Sequence, residues 1–299
     1  MKERVGIAGV GLMGLGIARN VVAKGYSLIA LEHAGNQPLD DLKRSGARTT
    51  PSCTALAAEC DVVILCVTGS PEVEAVLMGD GGILAGLREG SVVVDCSTSV
   101  PSSTVRMAQA VTALGCSFID APMTRTAQHA HEGRLNLLVG ADAQVLARVK
   151  PVLECFADSI VHAGPVGAGH TLKLLHNFVS LGTASVIAEA AACASRMGID
   201  PSLLVDVLSG GGGGGVALER MKPYIVGRDP SGLRFYMSNA LKDLQYYIEM
   251  ASDRRAFHQI ADAIAATLAV GVDESGPRAL LPELVSLLAE RDCISQAPH

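Results

Sequence analysis

Between residue 4 and about residue 163, short β-branched apolar runs recur with helix-like segments between them. The runs are Val5–Ala8, Ser27–Leu31, Val62–Val67, Ser91–Asp95, Ser117–Asp120 and Leu135–Val139, with a last one near Ser159–His162. Almost every run is apolar at successive positions, so both faces of each strand ask to be covered. That is the pattern of a parallel sheet sandwiched between helices, since a sheet with one wet face alternates apolar and polar residues. Strand and helix signals in alternation predict an α/β, Rossmann-like domain over residues 1–163.

After Gly164 the strand-like runs stop. Residues 167–197 read as one long helix, and Pro201–Leu208, Val216–Ile225, Met237–Ala251, Arg255–Leu268 and Leu280–Glu290 as further helices. The second domain, 164–299, is therefore expected to be all-α and joined to the first by the long helix. Between two of its helices lies "SGGGGGG", Ser209–Gly215. Glycines at Gly210–Gly215 do not hold a regular helix, because each costs about 1 kcal/mol relative to alanine. The segment is either a flexible connector or a loop whose bare backbone lets a ligand come close.

Composition narrows the class. A chain of 299 residues suits two domains, and 49% apolar with 18% charged residues suits a compact enzyme with a sizeable core. The net charge of -6, with no basic block, weighs against nucleic acid and against an anionic membrane surface. Eight cysteines (53, 60, 66, 96, 116, 155, 193, 293) show no C-x-x-C pair, several sit in strand-like runs, and they read as buried, reduced thiols of a cytoplasmic protein. The start, "MKERVGIAGVGLMGLGIA", puts charges before an apolar run as a signal peptide does, but Glu3 and the patterned glycines argue against that reading. Elsewhere no charge-free apolar run reaches the ~18 residues that span a bilayer. His129 and His131 have no carboxylate at ligand spacing, so no metal site is expected.

Several stretches carry candidate chemistry. Gly9-x-Gly11-x-x-Gly14 follows a strand and opens a helix, the context in which glycines permit a tight turn and a helix N-terminus meets a pyrophosphate. Glu32 ends the second strand run, eighteen residues after Gly14, where a carboxylate accepts from ribose hydroxyls and repels a 2′-phosphate. NAD is thus expected, with NADP possible because His33 follows. Ser97 and Thr98 in "VVVDCSTSVP" fall at the carboxyl end of a strand, where open α/β sheets bind ligands. Thr124, Arg125 and Thr126 occupy a later loop. An arginine flanked by hydroxyls suits a carboxylate, sulfonate or phosphate, although a surface charge reads equally well.

On the long helix, Lys173, Asn177 and Ser180 follow i, i+4, i+7 spacing and form a polar stripe among leucines, Phe178 and Val179. A lysine there either snorkels to water or faces a polar cleft. Facing a nicotinamide from a domain junction, it would exchange a proton with a substrate oxygen while hydride moves. His176 is the rival acid/base.

The motifs "GVGLMG", "DCSTSVP", "DAPMTRT", "GHTLKLLHN" and "NALKDL", in this order over nearly the whole chain, resemble the β-hydroxyacid dehydrogenase family, which includes 3-hydroxyisobutyrate dehydrogenases and the tartronate-semialdehyde and sulfolactaldehyde reductases. The resemblance implies NAD(P)-dependent oxidation of a small 3-hydroxy acid, or reduction of its semialdehyde. It implies Lys173 as the catalytic lysine with Asn177 orienting it. Cofactor contacts implied are Gly9, Gly11, Leu12, Met13, Gly14, Glu32, Val67, Thr68, Thr98, Lys242 and Asp243. Substrate contacts implied are Ser97, Thr124, Arg125, Thr126 and Ser180. Where relatives carry Ser-Gly-Gly, this chain has Thr124-Arg125-Thr126, similar to sulfolactaldehyde reductases, and Gly210–Gly215 replaces a loop of small and hydroxyl residues. An imine reductase of the same architecture and a non-catalytic dinucleotide-binding protein are the alternatives, and the retained Lys173 argues against both. Ala-rich helices in the second domain lead us to expect a homodimer or homotetramer.

Overall fold

A computed structural model describes residues 2–291 of the chain. It forms two compact units, one ending at Lys173 and the other beginning at Leu174.

In chain order the first unit comprises β1 (Val5–Ala8), α1 (Leu12–Ala23), β2 (Leu28–Leu31), α2 (Asp40–Arg44), β3 (Arg48–Thr50), α3 (Cys53–Glu59), β4 (Val62–Leu65) and α4 (Ser70–Met78). It continues with β5 (Val92–Asp95), α5 (Pro101–Thr112), β6 (Ser117–Asp120), β7 (Met123–Thr124), α6 (Ala127–His131), β8 (Leu135–Gly140), α7 (Ala143–Leu153) and β9 (Ala157–Gly164). The strands make one sheet in the order β3-β2-β1-β4-β5-β6-β8-β7, with β9 on β8. Strand side chains alternate between two apolar layers. Val5, Ile7, Val62, Ile64, Val92 and Val94 enter one layer, and Val63, Leu65, Val93 and Phe118 the other, which is why the strands carry no polar alternation.

The sheet departs from the all-parallel expectation at one side. From β3 through β6 every pairing is parallel, but β8 runs antiparallel to β6 and β7. Two strands escaped the sequence pattern for a physical reason. Arg48–Thr50 is a polar edge strand, and Met123–Thr124 has only two residues, too few to show a period. Thr124 is accordingly strand rather than loop, opposite Asn136.

The long helix α8 (Ala168–Arg196) runs through the division between the units. The second unit continues with α9 (Pro201–Ser209), α10 (Val216–Gly227), α11 (Met237–Asp253), α12 (Gln259–Ser275) and α13 (Leu284–Glu290), the last preceded by a 3-10 turn at Leu281–Glu283. The expected helix start at Arg255 falls in a left-handed turn, φ 53°, and α12 begins four residues later. Leu181, Ala184, Ile187, Ala188 and Ala191 of α8 feed one core with Met221, Leu244, Leu268 and Leu284. Their spacing of three and four residues is one helix face. α8 is long and apolar enough to cross a membrane, yet 44% of its apolar window is buried in protein. Gly210–Gly213 turn between α9 and α10; of the cysteines expected to be buried, Cys60, Cys96, Cys116 and Cys155 are, whereas Cys53 and Cys66 are half-buried and Cys193 stands exposed on α8, Cys293 lying outside the described residues.

Candidate functional site

The glycine turn between β1 and α1 is shaped by two close approaches. Gly9 has φ 94°, a left-handed conformation that a side chain strains. A β-carbon on Gly14 would overlap the carbonyl oxygen of Gly9, so the first turn of α1 lies flat on the strand end. Gly11, by contrast, has nothing within 4 Å of its β-position. Its backbone is bare toward that space. Helix α1 starts at Leu12 with no acidic side chain in its first turn and no side-chain cap on Gly11, so its leading amides present uncompensated positive character. Leu12 is exposed and Met13 half-buried. These features fit the pyrophosphate of a dinucleotide. Asn36, which the sequence reading passed over, ties the turn to β2: its Oδ1 accepts from Val10 N at 3.1 Å and its Nδ2 donates to the Leu31 carbonyl at 2.8 Å.

Glu32 stands just beyond β2. Its carboxylate accepts the Thr49 hydroxyl at 2.6 Å and lies 3.3 Å from Lys43 Nζ. The Thr49 bond and then the Lys43 bond hold it below the ordinary carboxylate range. A positive charge therefore sits beside the acid, which the sequence pattern did not reveal.

The loops after β4 and β5 are cross-tied by two serines. Ser97 Oγ accepts from Val67 N at 3.0 Å, and Ser70 Oγ accepts from Val100 N at 2.9 Å. Ser97 is buried, Thr98 and Val67 are half-buried, and Thr68 is exposed. Beneath Ser97 lie groups that sequence reasoning missed: Asp95, Asp120, Thr104 and His170, all buried. The two aspartates carried a signal, an acidic residue closing an apolar strand, as in "VVVD" and "FID", whereas Thr104 and His170 carried none. Asp95 Oδ1 accepts from Ser97 N at 2.9 Å. Burial pushes the Asp120 carboxyl above the ordinary range, against the opposing pull of His170 and of its backbone bonds.

Arg125 takes φ 77°, a conformation where glycine is the unstrained choice. Its Nη1 donates to Asp158 Oδ2 at 3.0 Å and also to the carbonyl of Arg134. The guanidinium expected to meet an anion is thus anchored on β9. Both of these bonds leave from Nη1 and neither engages the Nε–Nη2 edge. Asp158 is held below the ordinary range by Arg125 first and Arg134 next. Thr126 precedes α6, and its hydroxyl pairs with His129 Nδ1 at 2.8 Å.

On α8, Lys173 is half-buried. The stretch around it is less buried than its sequence suggests: Leu174 and Leu181 are in the core, whereas Leu172, Leu175 and Val179 are exposed. Helix geometry explains this, since one face feeds the core and apolar residues also occupy the other. Asn177 is buried, and its Nδ2 donates to Asp243 Oδ2 at 2.7 Å. Lys242 Nζ lies 3.1 Å from Asp243 Oδ1 and 5.1 Å from the centre of the Tyr246 ring. Asp243 Oδ1 receives no well-aligned hydrogen bond, so the lysine pairs with it by charge alone. His176 is exposed, with Nδ1 3.0 Å from Asn177 Oδ1, and Ser180 is half-buried.

Comparison with known proteins gives concordant matches. The family profile of the NAD binding domain of 6-phosphogluconate dehydrogenase matches residues 4–164, and that of the NAD-binding domain of NADP-dependent 3-hydroxyisobutyrate dehydrogenase matches 167–287. The chain is 30% identical to an NAD-dependent L-serine dehydrogenase of Pseudomonas aeruginosa over 271 residues, 90% of this chain and 89% of that protein. It is 31% identical to the 3-hydroxyisobutyrate dehydrogenase of the same organism over 220 residues, 74% of each. The solved structure of Mycobacterium tuberculosis 3-hydroxyisobutyrate dehydrogenase with L-serine shares the fold, with a TM-score of 0.86 over 96% of this chain and 99% of that one, at 24% identity.

Proposed function

The chain belongs to the β-hydroxyacid dehydrogenase family of NAD(P)-dependent oxidoreductases, and from that premise we propose that it interconverts a small 3-hydroxy acid and its semialdehyde, with Lys173 exchanging the proton at the substrate oxygen. The observation that carries this reading is on α8. A half-buried lysine is followed one turn later by a buried asparagine, whose amide is held by the Asp243 carboxylate.

When bound, the nicotinamide supplies or takes up the hydride. The chain's own residues do the rest. In the oxidising direction the neutral Lys173 amine takes the hydroxyl proton as the C–H hydride leaves, and in the reducing direction the ammonium returns it. The bare Gly11 backbone and the first amides of α1 bind the pyrophosphate. Glu32 accepts from the adenosine ribose hydroxyls, which favours NAD, while Lys43 beside it softens the repulsion of a 2′-phosphate. Ser97, Thr124 and Thr126 supply hydroxyls to the substrate, and the Nε–Nη2 edge of Arg125 takes its anionic group. A non-glycine residue retained at φ 77° supports that role, because strain of this kind is kept where a side chain serves a purpose.

The same helix supports self-association. Val179 and Val186 on α8 and Met197 in the turn just after it are 65%, 61% and 74% exposed, and Val179, Val186 and the exposed Cys193 recur at heptad spacing along the helix. We infer a homodimer or homotetramer, and sedimentation at micromolar concentration checks it.

The test of the activity is a panel of 3-hydroxy acids and carboxylate, sulfonate and phosphate semialdehydes with both nicotinamide cofactors, followed by absorbance of the reduced cofactor. Lys173→Ala is expected to lower kcat about 100-fold or more, with cofactor Kd nearly unchanged. Absence of turnover across the panel, or a Lys173→Ala variant keeping more than half its kcat, overturns the proposal.

A further inference from the structure

The first turn of α8 is fastened to the sheet by residues the reaction does not use. Asp120 Oδ1 accepts from Gly167 N at 2.7 Å and Asp120 Oδ2 from His170 N at 2.8 Å. A carboxylate from the end of β6 thus caps the first turn of α8, whose preceding residue, Gly167, has no side chain to do so, and satisfies amides that would otherwise be orphaned in the interior. The approach is close: a β-carbon on Gly169 would overlap the Leu138 carbonyl of β8 and stand 2.8 Å from Asp120 Oδ2. The helix start has no room to slide.

The His170 ring completes the fastening. It is fully buried. Its Nε2 lies 3.2 Å from the Ser97 carbonyl, an acceptor only, so that nitrogen carries a proton and donates. Its Nδ1 lies 2.8 Å from Thr104 Oγ1 on α5. Asp95 Oδ2 and Asp120 Oδ2 flank the two nitrogens at 3.9 and 3.8 Å. One imidazole therefore joins α8 to α5 and to the loop that carries Ser97.

We propose that His170 is a positioning residue for Lys173, fixing the separation between the proton-exchanging amine and the substrate-binding loop at Ser97. The inference rests on the reading of Lys173 given above. Lys173 follows His170 by three residues, so the two are near neighbours on one side of the helix, about 4.5 Å apart along its axis. A helix is stiff over one turn, and a movement of its first turn reaches Lys173 undiminished. Misplacing a reacting group by about 1 Å costs as much as 100-fold in rate. An apolar residue at 170 would fill the space but would leave the Ser97 carbonyl and two buried carboxylates without their shared neighbour.

The test is a double-mutant cycle. His170→Leu is expected to lower kcat about 10-fold to 100-fold, with cofactor Kd and substrate KM within about threefold of wild type. His170→Gln, which keeps a donor and an acceptor, is expected to recover most of the loss. In the Lys173→Ala background, His170→Leu is expected to cost no further rate, because a residue that acts through the amine has nothing left to position. An equal loss in both backgrounds shows a merely structural role and overturns the proposal, as does a His170→Leu kcat within twofold of wild type. If Lys173→Ala itself remains active, it is the reading of Lys173 that has failed, and the proposal falls with it. Should His170→Leu not fold, Thr104→Val, which removes the Nδ1 partner and keeps the ring, goes through the same cycle with the same criteria.

Discussion

Asn177 donates to Asp243 across 2.7 Å, and both side chains are buried in the helical unit. A charge-assisted bond of this kind fixes the amide in one orientation, with its oxygen 3.0 Å from His176 Nδ1. Asp243→Ala strands a buried amide and costs about 1–3 kcal/mol in the stability of the helical unit. It is expected to lower kcat about tenfold or more, and Asp243→Asn less, because the amide oxygen still accepts. Equal kcat in wild type and Asp243→Ala contradicts an orienting role for Asn177.

The acid at the end of β2 and its lysine neighbour should act in opposite senses on cofactor choice. Wild type is expected to show higher kcat/KM with NAD than with NADP. Glu32→Ser should narrow the ratio by removing the repelling charge, and Lys43→Met should widen it by removing the ammonium that compensates Glu32 at 3.3 Å. Changes of about threefold or more in each direction are expected from partly solvated charges of this kind. A Lys43→Met ratio equal to wild type removes Lys43 from the account.

Arg125 combines backbone strain with an anchored side chain. Arg125→Gly relieves the strain at φ 77° while losing the solvent-screened pair with Asp158, two small effects of opposite sign, so thermal stability should barely change. KM for an anionic substrate should rise about 10-fold or more, the equivalent of losing a charge-assisted bond pair. If KM stays within a factor of two, the guanidinium serves Asp158 alone.

Asp61 supplies a pH-dependent contribution remote from the site. It accepts from Arg4 N at 2.9 Å, Arg4 Nη2 at 3.0 Å and Arg88 Nη2 at 2.6 Å. The Arg4 side-chain bond is the largest of the influences that hold its carboxyl well below the ordinary range. A depressed folded value means the stabilisation is present above the unfolded carboxylate value of about 4 and is lost as pH falls below it. Asp61→Asn should lower Tm by about 2–4 °C at neutral pH, corresponding to about 1 kcal/mol, and the gap to wild type should shrink in acid. A gap that is constant from pH 7 down to strong acid excludes ionisation as its source.

How far the sequence specified the molecule depends on the range of the interaction. Apolar strand runs, the 3.6-residue period of α8 and the Gly9-x-Gly11-x-x-Gly14 turn are local patterns, and a chain of this composition satisfies them in one way: an α/β unit followed by helices. Lys173 and Asn177 were legible as a pair because helical spacing alone puts them one turn apart. The strands at Arg48–Thr50 and Met123–Thr124 were not, since each owes its pairing to a neighbour rather than to a pattern of its own. Nor could spacing show that Lys43 sits against Glu32, that Arg125 is tied to Asp158, or that Asp243 holds Asn177, residues separated by 11, 33 and 66 positions. His170 is the clearest case. In sequence it is a histidine three residues before a lysine. Only the packing of α8 on β5, β6 and α5 buries it between two aspartates, because hydrogen bonds and charges select partners by distance in space, which the order of residues along the chain does not encode.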